Sequence, residues 1–227
     1  MKLFVCVSVL LHGILAIPLE VVSLEPLANL NQRTIRSNDE ERYQDQIQSQ
    51  EQCSIGGTLP NEGVLEPILT IPISATQPSR SFGATKEGPL VTPNDICTIF
   101  NVEMPRAAYS QTCTLKFLLP YPQQSDDDYG FAGDGHFTFT GYALDSGAAG
   151  DTTFLTQPPA GPSPSHPPAV LQPGNAYTIS SGRCADPELF GDREKITLAV
   201  KLCSSDTYLK FEQDQRACPV GFYVVVS

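Results

Sequence analysis

The sequence predicts an all-β fold, an antiparallel β-sandwich or jelly-roll-like single domain, reinforced by disulfides and preceded by a flexible N-terminal leader. Three observations predict it. From Pro67 onward, short runs rich in β-branched and aromatic residues alternate with Gly, Pro, Asn and Asp, the texture of strands and turns. No long window of this body repeats with a helical period, so crossover helices that would join parallel strands are not expected. Of the seven cysteines only Cys6 falls in the apolar start, which leaves an even set for pairing.

The start, Leu3 to Ala16, is an apolar run directly behind Lys2. It is too short to span a bilayer and ends on a small residue, so residues 1–16 are expected to be a secretory signal peptide. Export would carry Cys53, Cys97, Cys113, Cys184, Cys203 and Cys218 into an oxidising compartment, where paired sulfurs are the expected state. Residues 17–65 read as a polar, largely disordered leader. Between Asn29 and Gln52 it holds six glutamines and few apolar residues, too few to offset the entropy of ordering. Asn38 could cap a short helix with Asp39, Glu40 and Glu41 in its first turn. Tyr43 and Ile47 would share a face of that helix, but one such pair contributes only about 0.2–0.5 kcal/mol.

Residues 66–227 are expected to form the sandwich. Ile68 to Ser74 is its first strand, and Pro72, which cannot donate a ladder hydrogen bond, assigns it to an edge. Thr98 to Glu103 follows. Thr112 to Leu119 places Cys113, Leu115, Phe117 and Leu119 on one face. His136 to Tyr142 turns Phe137 and Phe139 to one side and Thr138 and Thr140 to the other. Residues 157–173 hold seven prolines; with φ fixed and donors missing, they should run as an extended loop between strands. Tyr177 to Ser180 comes next. In Lys195 to Leu202, residues Ile196, Leu198, Val200 and Leu202 face one way and Lys195, Thr197 and Lys201 the other. After Tyr208 to Glu212, the near-continuously apolar run Gly221 to Val226 reads as a central strand covered on both faces.

Net charge is −11, and loss of Lys2 with the signal peptide makes it one unit more negative. Phosphate backbones and anionic lipid surfaces repel such a chain, so neither nucleic acid nor membrane is expected as a partner. Candidate chemistry is thin. His136 and His166 have no second His or Cys at metal-ligand spacing, no Gly-x-Ser-x-Gly elbow occurs, and oxidised sulfur is not a nucleophile. No catalytic residue and no cofactor are therefore expected. Asp126, Asp127 and Asp128, with Asp134 beyond, offer hard oxygen ligands for Ca²⁺, but their spacing is not that of an EF-hand, and a solvated turn is preferred. Tyr121 and Tyr129 flank this turn and could line a ligand groove at one end of the sandwich; there is no Trp to stack a sugar. Ser163, Ser165, Thr152 and Thr153 are candidate carriers of O-linked sugar.

Several short motifs in order resemble the fungal family named for the ubiquitin-three-binding protein But-two, C-terminal domain. They are Thr98-Ile99-Phe100-Asn101 leading to Met104-Pro105, the Thr112 to Phe117 strand, and Gly133-Asp134-Gly135. Pro173-Gly174-Asn175-Ala176-Tyr177-Thr178-Ile179, Cys184, Phe211-Glu212-Gln213-Asp214 and Pro219-Val220-Gly221-Phe222-Tyr223 complete them. The resemblance covers roughly residues 66–226 and implies an ascomycete source, a β-rich domain and an exported protein without carried-over catalytic residues. It also implies a Cys113–Cys184 bridge. Cys203 with Cys218, closing a short loop, and Cys53 with Cys97 would then use the remaining sulfurs, although six cysteines allow 15 pairings.

Three functions follow as expectations. The first is a secreted, non-catalytic module contacting an extracellular protein or cell-wall polysaccharide. The second is a carbohydrate-active or carbohydrate-binding protein, with carboxylates such as Asp128 and Glu212 across a groove. The third, from the family name, is an adaptor for a ubiquitin-like activating enzyme subunit.

Overall fold

The computed structural model describes Cys53 and residues 57–85, 88–124, 129–164, 167–186, 188, 191–213 and 218–227. The expected signal peptide, most of the leader with its capped helix, Asp126 to Asp128, Ser165 and His166 lie outside the described residues. Among those described, eleven strands run in chain order: β1 (Val64–Leu65), β2 (Pro67–Ser74), β3 (Leu90–Val91), β4 (Ile96–Pro105), β5 (Thr112–Leu119), β6 (Gly130–Ala132), β7 (Phe137–Gly141), β8 (Asn175–Arg183), β9 (Lys195–Ser204), β10 (Tyr208–Lys210) and β11 (Gly221–Val226). They form a sheet of order β1-β11-β5-β8, a second of order β2-β4-β9-β7, and a short third one, β3-β10-β6. Each described pairing is antiparallel.

Alternation within the strands builds the space between the two larger sheets. Phe100 of β4 stacks on Phe222 of β11, with ring centroids 5.1 Å apart. Phe117 of β5 meets Phe139 of β7 edge-on at 6.2 Å and Phe211 at 5.8 Å. Val200 and Leu202 of β9 are buried in the same cluster, as their alternation with lysines requires. The antiparallel sandwich is thus the observed architecture, with Pro72 on the edge strand β2, where its missing donor leaves no ladder position empty.

The second sheet is covered on its other face as well. Ile71, Ile73, Ile99 and Ala199 pack there with Tyr142 and Ala148 of the loop that follows β7. Asn101 latches that loop: its Nδ2 donates to the Ala148 carbonyl at 2.8 Å, and its Oδ1 accepts from the Ala148 N–H at 3.0 Å. A buried amide with both ends bonded avoids the penalty of an orphaned polar group. Lys201 points to this face too, so it is half-buried under the loop, donating to Gln157 Oε1 at 2.7 Å. Desolvation lowers its pKa from the ordinary lysine value.

Three disulfides join Cys53 to Cys218, Cys97 to Cys203 and Cys113 to Cys184. The third is the bridge the family resemblance implied. The expected Cys203–Cys218 and Cys53–Cys97 pairings are corrected, and strand register is the reason. Thr98 of β4 pairs with Leu202 of β9, so one step further along the ladder Cys97 stands opposite Cys203, with Cα atoms 4.5 Å apart. Cys218, just before β11, is left for Cys53. β1, β3 and β6 were not anticipated, being only two or three residues long; β1 falls within the span read as leader and pairs with β11.

Candidate functional site

At one end of the sandwich, the turn between β9 and β10 meets the start of β7. Ser204, Asp206 and Thr207 supply the polar atoms of the turn. Gly133 and Gly135, both at positive φ, let the incoming chain approach. A Cβ on Gly133 would lie 2.3 Å from the Asp206 carbonyl, and one on Gly135 2.1 Å from that of Leu171. These are the glycines of the Gly-Asp-Gly motif, and close backbone approach is what they provide. The Gly135 N–H donates to Thr207 Oγ1 at 2.7 Å, and that hydroxyl donates to Asp206 Oδ1 at 2.6 Å. Ser204 Oγ donates to the His136 carbonyl at 2.7 Å.

His136 and Asp206 are joined at this rim. The Nδ1···Oδ2 distance is 2.6 Å, and an ionised carboxylate can only accept, so Nδ1 carries the proton and Nε2 is the acceptor of the neutral ring. The Thr207 hydroxyl, and after it His136, hold the Asp206 carboxyl below its ordinary pKa against a smaller opposing effect of desolvation. An imidazole oriented by a carboxylate is part of a nucleophile-activating triad. Yet among the described residues the neighbouring hydroxyls of Ser204 and Thr207 bond to Asp206 and backbone, and none bonds to Nε2. Asp134 completes a trio in which one ligand atom from each of Asp134, His136 and Asp206 lies within 4.8 Å of the others. One imidazole and two carboxylates suit a divalent cation, but a cation taking Asp206 would compete with the Thr207 and His136 contacts already made.

This rim gives a pH prediction. Asp206 has a folded pKa below its unfolded one, so its contribution to stability is present above the unfolded value, 3.8, and is lost as pH falls through the folded value. Melting temperatures of the wild type and Asp206→Asn, compared between about pH 7 and pH 2, should converge in acid. Asp95, lowered chiefly by the Ser74 hydroxyl and then by the Thr76 N–H, keeps part of the acid limb in both proteins. A gap that persists undiminished at the acid end would show that the charge of Asp206 contributes nothing.

The other sequence candidates are dispersed. Tyr121 is 55% exposed, with one part of its ring against Gly174, whose Cβ would lie 2.3 Å from Tyr121 Cζ. Tyr129 instead packs against the core; its hydroxyl is buried without a hydrogen-bond partner among the described residues, and burial pushes its pKa well above the ordinary tyrosine value. Asp134 stands with His136 and Asp206 rather than being shown beside the three adjacent aspartates, which lie outside the described residues, as does Asp128 of the proposed carboxylate pair. Thr152 and Thr153 are corrected as sugar carriers. Both are buried, and their hydroxyls accept from the backbone N–H groups of Ala149 and Thr156. Asp206 was missed by sequence reasoning. Its signal was the Ser-Ser-Asp-Thr run, a composition typical of side chains that bond their own turn.

A family model described as the Ubiquitin 3 binding protein But2 C-terminal domain matches residues 65–217. No curated protein matches the chain.

Proposed function

Since this chain belongs to the But2 C-terminal domain family, we propose that it acts as a secreted, non-catalytic β-sandwich module of a fungus, contacting an extracellular protein or cell-wall polysaccharide. The observation that carries this reading is the set of three disulfides, which an oxidising compartment maintains and a reducing one does not. The apolar run behind Lys2 supports export in the same direction. An intracellular adaptor would work where glutathione opposes all three bridges. A net charge of −11 favours neutral polysaccharide or basic protein surfaces over phosphate-bearing ones.

The test is direct. The tagged protein, expressed in a filamentous ascomycete, should accumulate in culture supernatant or wall extract, begin near residue 17, and carry no titratable thiol. That material should sediment with insoluble wall polysaccharide or retain a wall protein. Intact chain found in the cytosol with reduced cysteines would overturn the reading.

A further inference from the structure

Three side chains with lone pairs to give converge at the rim, from two segments far apart in the chain. Asp134 and His136 flank Gly135 just before β7, and Asp206 sits in the turn after β9. One ligand atom of each lies within 4.8 Å of the other two. Among the described residues the Asp134 carboxylate accepts no hydrogen bond and joins no ion pair; only its main-chain carbonyl is engaged, by Gln172 Nε2 at 2.9 Å. Two carboxylates thus share one imidazole. The described ion pairs of Arg183, Arg193 and Lys195 are with Asp186, Asp145 and Glu103 instead. Like charges this close disfavour one another unless a cation joins them.

A cation entering here displaces little, because the contacts of Asp206 divide between its two oxygens. Oδ1 accepts from the Thr207 hydroxyl at 2.6 Å and lies 3.3 Å from Ser204 Oγ and from the His136 backbone nitrogen. Oδ2 has one described contact, His136 Nδ1 at 2.6 Å. A cation at Oδ2 replaces the single proton held there, which the neutral ring carries on Nε2 in its other tautomer. The Thr207 contact stays. Two ligands on a tetrahedral ion, with bonds of about 2.0–2.1 Å, stand roughly 3.3 Å apart, so the ring has to open by roughly 0.7 Å. The His136 side chain is 56% exposed, which leaves it room for that shift.

The donor set selects the ion. Imidazole nitrogen beside carboxylate suits Zn²⁺, whereas Ca²⁺ takes about six to eight oxygens. Three protein ligands leave a fourth tetrahedral position, which water can fill on an open rim. A net charge of −11 also draws cations to the surface. We propose that Asp134, His136 and Asp206 bind a Zn²⁺ ion at this rim. The inference goes beyond the wall- or protein-contact reading and does not depend on it, because all three ligands belong to the folded sandwich.

The experiment titrates the oxidised full chain, free of any polyhistidine tag, with ZnCl₂ in a calorimeter and with CaCl₂ in parallel. Imidazole ¹⁵N shifts are followed over the same zinc titration. Wild type should bind Zn²⁺ at a saturable site and shift the ring nitrogens of His136, with Ca²⁺ at least about tenfold weaker. His136→Gln and Asp134→Asn should each weaken Zn²⁺ at least about tenfold. Both positions are exposed, and Asp134→Asn breaks no described side-chain contact, so this variant folds as wild type does. Asp186→Asn, which changes an exposed carboxylate paired with Arg183, should leave the affinity unchanged. No saturable Zn²⁺ binding by wild type, or equal affinity in His136→Gln or Asp134→Asn, would overturn the site. Equal affinity for Ca²⁺ would overturn the part assigned to the imidazole nitrogen. Zinc binding is read on the purified, folded chain, so its failure and a failure to find the protein outside the cell are separate results.

Discussion

Replacing Cys97 and Cys203 together by alanine should lower the melting temperature by roughly 10 °C. The bridge closes a loop across a sequence separation of 106, for which the chain-entropy model gives an upper figure of about 5 kcal/mol and experience a range of about 2–5 kcal/mol. In a domain of this size each kcal/mol moves the midpoint by about 2–4 °C. The loss acts mainly on the unfolded chain, because β4 and β9 are already joined by a long ladder of backbone pairs around the two sulfurs. Urea and thermal unfolding of the oxidised double variant and of wild type provide the measurement. Using the double variant avoids leaving an unpaired thiol in the cluster with Ile73 and Ile99. A midpoint within about 2 °C of wild type would mean that closing this loop does not measurably lower the entropy of the unfolded chain.

That pairing also marks where reading the sequence stopped. Loop-closure entropy rises only with the logarithm of loop length, so it separates the possible pairings of six cysteines by little. What decides is strand register, which puts Cys97 and Cys203 on one rung. Register is fixed by the inward-facing phenylalanines and by the Asn101 latch, contacts between segments far apart in the chain. The strands themselves were legible because their signal is local. Lys195 to Leu202 alternates within eight residues, and Pro72 announces an edge by its missing donor. Leu90–Val91 and Val64–Leu65 are too short to show any period. The rim site divides in the same way. His136 beside a glycine was visible, but its partner Asp206 lies 70 positions further on, and nothing local joins the two.

Phe117→Ala should cost about 3–5 kcal/mol, the span measured for large aromatic truncations in cores. Phe117 is fully buried, and its ring reaches from its own sheet to the second sheet and to the residue that follows the third. On its own sheet it stands between Phe222 of β11 and Tyr177 of β8. Across the interior it meets Phe139 of β7 edge-on, and Phe211, just after β10, presents a second edge. Truncation therefore opens a void that no single strand can close by shifting, because each neighbour is held by a ladder of its own. Phe117→Leu keeps most of the volume and should cost less than half as much, losing chiefly the two edge contacts, each of which is worth about 0.5–1.5 kcal/mol. Urea unfolding of both variants, with m unchanged, measures the two costs. A double-mutant cycle with Phe139→Ala isolates the ring–ring coupling. If Phe117→Ala costs under about 1 kcal/mol, the site collapses freely around the loss, and the packing of the sheets does not turn on this ring.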